Sequence, residues 1–239
     1  TSRVTVAGTC LHSLALVATG FRAAHRWRRA KFFWDDIWAL VAAALNSILL
    51  ITLWVRAHTR SQSFEVSVGL LIQWRLHSSS CPRAARASIA CSILRLLPPC
   101  RTKKFVLGMI GWFAITFTVL FVQRIWWCGS NKVWTDDCPC WTPFIIEKLC
   151  TDVIANVMLV VVPVFMLWNS TLPKGPCWMI RVVFATSITV TACSATHAVY
   201  VLGDNRVLEG FTAHFEVPVT VMICNLLVIV TFCYRALRN

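Results

Sequence analysis

Six stretches of this chain, 4–21, 37–55, 105–123, 153–168, 182–202 and 217–234, contain no Asp, Glu, Lys or Arg. A helix needs about 20 mostly apolar residues to cross the hydrocarbon of a bilayer. Five of the runs meet or approach that length, and the run at 153–168 reaches it if the turn from Leu149 is included. Pro163 within it is tolerable, because neighbouring helices can satisfy the carbonyl it frees. The spacing therefore dictates an all-α, polytopic transmembrane bundle. Composition agrees: 57% of residues are hydrophobic, 14% are charged and the mean hydropathy is +0.66. A soluble domain carries roughly a quarter charged residues. The net charge of +13 does not signal nucleic acid, because the basic residues lie in short clusters between apolar runs, as in membrane proteins with basic cytoplasmic loops.

A seventh crossing is required between the second run and the run that starts at Phe105. The sequence offers 66–74, then a polar stretch 75–83 (Arg-Leu-His-Ser-Ser-Ser-Cys-Pro-Arg), then 84–97. Polar groups of this kind are costly in lipid. The stretch is either a distortion within the third helix or an insertion, such as a mis-joined exon would produce. The expected helices cover about 4–21, 37–55, 66–97 (irregular), 105–127, 149–168, 179–202 and 213–234 of a single domain, 1–239.

Basic residues set orientation. With the N-terminus outside, thirteen Lys and Arg fall on the inner side and seven on the outer, with Arg75, Arg83 and Arg86 in the ambiguous third segment. Most acids, Asp136, Asp137, Glu147, Asp152, Asp204 and Glu209, fall outside. The first run has its basic residues after it, the reverse of a secretory signal, and reads as a retained helix. Trp34, Trp38, Trp54, Trp126, Trp127, Trp168, Trp178 and Tyr234 sit near the expected helix ends, where aromatic rings prefer the interface.

Twelve cysteines are present. Cys10, Cys91, Cys193, Cys224 and Cys233 lie in apolar runs and read as small packing residues. Cys128, Cys138, Cys140 and Cys150 surround an acidic outer loop, where disulfides are expected; Cys81 is a further competitor if it reaches the outer face. Four cysteines allow three pairings. Zinc is the rival, but the Cys138-Pro-Cys140 spacing is short and the loop holds no His.

Several strings line up with a known family: Phe21-Arg22, His25-Arg26, Phe33-Trp34-Asp35-Asp36, a third-helix inner end running from Arg86 to Arg95 and followed by Pro98, Trp127-Cys128-Gly129, a fifth helix from Asp152 through Pro163 to Trp168, and Ile223-Cys224-Asn225-Leu226-Leu227 in the seventh. Together they resemble the fungal rhodopsin-like integral membrane domain, related to seven-helix surface-sensing receptors. The resemblance covers nearly the whole chain, departs from the family at 75–83, and implies a seven-helix fold and a receptor-like role.

The marked residues carry competing readings. Asp35 and Asp36 suit the N-terminus of helix two as caps, ahead of a lock with basic residues or a cytoplasmic contact. Arg95 reads as an interfacial anchor ahead of a restraint on an inactive state. Asn46, Asn156 and Asn225 read as interhelical packing amides. His197 reads as a hydrogen-bonded interior residue, and His214 with Glu216 as near the outer interface. Asp152 either caps helix five or faces a central cavity.

Function classes follow. A retinal protein needs an intrahelical lysine for its Schiff base, and no expected helix interior has one. The six histidines form no metal-protease pair, and no glycine loop suggests nucleotide binding, so neither an enzyme nor a cofactor is expected. The expected partners are the lipid bilayer, an extracellular ligand and a cytoplasmic signalling partner, with no nucleic acid. A receptor or sensor, at the plasma membrane with its C-terminus cytoplasmic, is the first reading. A transporter or channel is second, and gains if the polar third segment is embedded. A structural membrane protein with no ligand is third.

Overall fold

The computed structural model describes residues 2–28, 32–58, 64–96, 101–130, 142–168, 174–203 and 206–238, in places by backbone alone. These form α1 (Ser2–Arg28), α2 (Trp34–His58), α3 (Phe64–Leu96), α4 (Arg101–Ser130), α5 (Thr142–Trp168), α6 (Lys174–Leu202) and α7 (Arg206–Arg238). Each consecutive pair of helices packs together, and α1 against α7 closes the ring. α3 reaches across the ring to α5 and α7, and α2 also touches α7.

Every helix is longer than its apolar run, because the hydrophobic stretch defines only the lipid-facing part of a helix. Four helices among the described residues are long and apolar enough to cross a membrane, within α1, α2, α4 and α7. A shorter apolar stretch, Cys150–Val161, lies in α5.

The bundle is apolar outside and polar within. Val6, Leu14, Val17, Ile51, Leu107, Ile115 and Val199 are exposed, while Arg22, Asp35, Asn46, Arg86, Glu216 and Asn225 are buried. Lipid on the outside and polar groups gathered inside fit this inversion. Trp34 and Trp126 stand exposed close to helix ends, as an interfacial belt requires.

α3 carries 75–83 within the third helix, the first of the two readings the sequence left open. It is helical throughout, with Pro82 inside it. The polar stretch is tolerated because it turns inward: Ser80, Cys81 and Pro82 are buried, as is every residue from Ala84 to Ile93. Cys81 is fully buried and its thiol donates to the Ala42 carbonyl at 3.2 Å. It therefore does not compete for an outer-loop disulfide. Small side chains set the spacing here: Ala39, Ala42, Ala84, Ala85 and Ala90 are at most 1% exposed. Such residues let helix backbones approach closely where no hydrophobic effect drives them together.

Ala85→Leu should lower stability by about 1–3 kcal/mol through overpacking. Ala44→Leu, on an exposed position of α2, should leave it nearly unchanged. Thermal unfolding of the two variants in detergent checks the contrast.

Candidate polar centre

Three buried clusters tie the helices together. The first joins α1, α2, α3 and α7. The Arg22 guanidinium donates from Nε to Asp36 Oδ1 at 2.9 Å, from one terminal nitrogen to Asp35 Oδ2 at 2.8 Å, and from the other to the Cys224 carbonyl at 2.8 Å. Arg22, Asp35 and Asp36 are each at most 2% exposed. Arg26 reaches Asp35 at 3.5 Å. From α3, Ser92 donates to Asp35 Oδ2 at 3.1 Å and Ser88 to the Asp35 carbonyl at 2.7 Å. Asn225 Nδ2 donates to Thr19 Oγ1 at 2.8 Å, tying α7 to α1 one turn before Arg22.

The capping expectation is therefore incomplete. Asp36 does accept from the Phe33 N–H at 3.2 Å, which steadies the start of α2. Its other oxygen, and Oδ2 of Asp35, serve an ion-pair lock with basic residues, the reading that capping was set ahead of. Burial removes both acids from contact with a cytoplasmic partner. Arg22, counted in the sequence among inner-loop basic residues, lies inside the bundle. The physical reason is pairing: an ion in a low-dielectric interior needs an opposite charge and hydrogen bonds at once.

The second cluster joins α3, α5, α6 and α7. Arg86 donates to Asp152 Oδ1 at 2.5 Å and to Ser194 Oγ at 3.2 Å, and Ser194 donates to Glu216 Oε1 at 2.6 Å. Arg83 lies 3.9 Å from the same Asp152 oxygen. Three placements change here. Arg86 is in the body of α3, not at its inner end. Asp152 is one of the interior groups and not a helix cap, because α5 begins at Thr142. Glu216 is 4% exposed and not at the outer interface, because α7 begins at Arg206.

The third cluster joins α1, α2 and α7. His12 Nδ1 lies 2.6 Å from Asn46 Oδ1, Asn46 Nδ2 donates to the His12 carbonyl at 3.2 Å, and His12 Nε2 lies 3.3 Å from His214 Nδ1. The His12 and His214 rings meet edge to face. Nearby, His197 Nδ1 lies 2.9 Å from Thr212 Oγ1, linking α6 to α7. His197 is thus the hydrogen-bonded interior residue expected of it. Asn46 and Asn225 bridge helices as expected, and Asn156 is buried in α5.

Other expected residues take no part. Trp34 faces outward. Cys150 is exposed with a free thiol; Cys138 and Cys140 lie outside the described residues, as do the side chains of Cys128, Arg95 and Pro163. Among the described residues no cluster of His, Cys, Asp and Glu could hold a metal ion.

Sequence reasoning passed over Arg22, His12, Ser88, Ser92 and Ser194 as members of a site, and marked Glu216 but placed it near the outer interface. Glu216 carried a signal: an acid within a run that is otherwise apolar from Ala213 to Ile223 except for His214 and Thr220. Ser194 carried none, since a serine in a helix is unremarkable until its neighbour is known. No family model, curated protein or solved structure matches the chain.

Arg22→Met should destabilise the bundle by up to about 3–5 kcal/mol, because it removes the close partner of two buried carboxylates and leaves them only Arg26, at 3.5 and 3.8 Å. Adding Asp35→Leu and Asp36→Leu to it should recover most of that loss, less about 1 kcal/mol for the cap. Unfolding of the single and triple variants measures both.

Proposed function

We propose that this chain is a seven-helix membrane receptor or sensor, with its N-terminus outside and its C-terminus cytoplasmic, in the plasma membrane. Membership of the fungal rhodopsin-like family is part of the proposal and rests on the Trp34-Asp35-Asp36 and Asn225 strings. The observation that carries it is the buried Arg22 lock. It gathers α1, α2, α3 and α7 at the ends of α1 and α2 that the basic loops place inside. A sensor needs an element with two discrete arrangements whose balance a signal shifts. A buried ion pair suits that role: it is made or broken, with little stability between. The Arg86–Asp152 pair and the Ser194–Glu216 bond join α3, α5, α6 and α7, so helix motion elsewhere in the bundle reaches the shared α3 and α7.

A transporter reading gains from one observation: the polar part of α3 is buried inside the bundle, with Arg86 only 2% exposed. Intramembrane ions also mark transport paths.

Asp35→Asn in lipid nanodiscs tests the sensor reading by hydrogen exchange. The lock predicts amide exchange at the Arg22 and Asp35 ends of α1 and α2 faster by about tenfold, ~1.4 kcal/mol of local opening, with the rest of the bundle unchanged. A uniform loss of protection across all helices would show a structural ion pair and sink the switch. Steady proton or cation flux in liposomes would instead favour the transporter.

Sidedness has its own check. The sequon Asn169-Ser170-Thr171 should stay unglycosylated in a glycosylating host, while a sequon made at Asn131 by Val133→Thr should be modified. Loop-lengthened controls are needed, because sites close to the membrane are modified poorly. Modification at Asn169 would mean that a crossing is missing or the chain is inverted, and would remove the receptor reading.

A further inference from the structure

We propose that His12 and His214 form a proton-binding dyad that takes up one proton between them, admitted through His214. This deepens the sensor reading by giving it a ligand, the proton.

Geometry fixes the ring protons. Asn46 Nδ2 donates to the His12 carbonyl, so Asn46 Oδ1 is the atom facing His12 Nδ1, and an amide oxygen can only accept. His12 Nδ1 therefore carries a proton. In the neutral pair, His12 Nε2 is a lone pair and accepts from His214 Nδ1–H across 3.3 Å. One added proton makes one ring an imidazolium and turns the contact into a charge-assisted bond, about twice as strong as a neutral one. A second added proton would leave N–H facing N–H, with two positive charges in contact. The pair thus holds one extra proton and refuses the next. His12 is 0% exposed and His214 is half-buried, so His214 is the port and His12 the anchored acceptor. The expected effect of uptake is a tighter α1–α7 seam.

α1 offers Cys10, which is exposed, and then Arg22, which is committed to Asp35 and Asp36. α2 offers Asn46 at this level and titratable groups only toward its ends, Asp35, Asp36, Arg56 and His58. From α3 come His77, Cys81, Arg83 and Arg86, the last bound to Asp152. From α6 come Cys193 and His197, the latter bonded to Thr212. On α7 itself are Glu209 and Glu216. Glu216 is two residues from His214, a spacing that does not share a helix face, and it accepts from Ser194.

The test is 15N NMR of histidine-labelled full-length protein in nanodiscs, titrated between about pH 5 and 8, the window of histidine charge change. The dyad predicts that His12 and His214 shift together in a single step worth one proton. Two independent one-proton steps, or no change in either ring, would overturn it. In His214→Gln, His12 should no longer titrate in that window; a lone His12 that still titrates would also overturn the dyad. Asn46→Asp places a carboxylate on His12 Nδ1–H and should raise the midpoint by about one unit or more. If His214→Gln fails to fold, the wild-type stoichiometry and Asn46→Asp decide the matter. Because NMR reads the proton itself, this proposal and the Arg22 switch fail separately: hydrogen exchange in Asp35→Asn does not depend on the dyad.

Discussion

An arginine shielded from water needs its charge answered at once, and the Arg22 guanidinium organises much of the bundle for that reason. Two carboxylates on α2 and one carbonyl on α7 answer it, and two α3 serines donate to the Asp35 carbonyl and to its Oδ2. Each contact fixes a helix relative to α1. In a soluble protein a comparable arrangement often gives way to apolar packing without loss. Within a bilayer the argument shifts, because lipid supplies no hydrophobic drive to bring helices together. Packing of small residues and polar bonds between helices then carry more of the specificity.

The two kinds of contact divide the work. Alanines along α2 and α3 let those helices lie close, while Arg, Asp, Asn and His set which helix faces which. The described side chains of α4 show only the first kind. Its buried side chains are Val106, Met109, Phe113 and Leu120, and the described hydrogen bonds of its Thr116 and Thr118 stay within the helix. α4 is held by packing on α3 and, more lightly, α5.

The sequence was legible where hydrophobicity alone decides. Charge-free runs located six helices, because lipid contact excludes ions regardless of tertiary detail. It was illegible at α3, where the same rule read Ser78, Ser79 and Ser80 as a break. That rule assumes lipid on every side of a helix, and α3 instead has α2, α4, α5 and α7 around it. Asp35 and Asp36 were legible as the start of a helix, since capping depends on local sequence. Their pairing with Arg22 depends on the turn between α1 and α2 bringing the two helices together, which local rules do not contain. Asp152 and Glu216 were misjudged for depth because polar residues at the head of α5 and α7 extend those helices beyond their apolar cores. The Asn225 string was visible; that its amide would hold Thr19 on α1 was not.

α7 enters all three clusters, through His214, Glu216, the Cys224 carbonyl and Asn225. Pro218 lies between the first two and the last two, and it is helical there. A proline inside a helix removes one backbone bond and disfavours a straight path, so α7 is weakest between its two sets of tethers. Above Pro218 it is held by the His214 and Glu216 side chains. Below Pro218 it is held through its own backbone to Arg22 and through Asn225 to Thr19. A bend at Pro218 changes the geometry of one set relative to the other without unmaking either. The upper bonds and the Arg22 lock therefore share one mechanical element, and no separate chain of contacts through the other helices is needed to couple them.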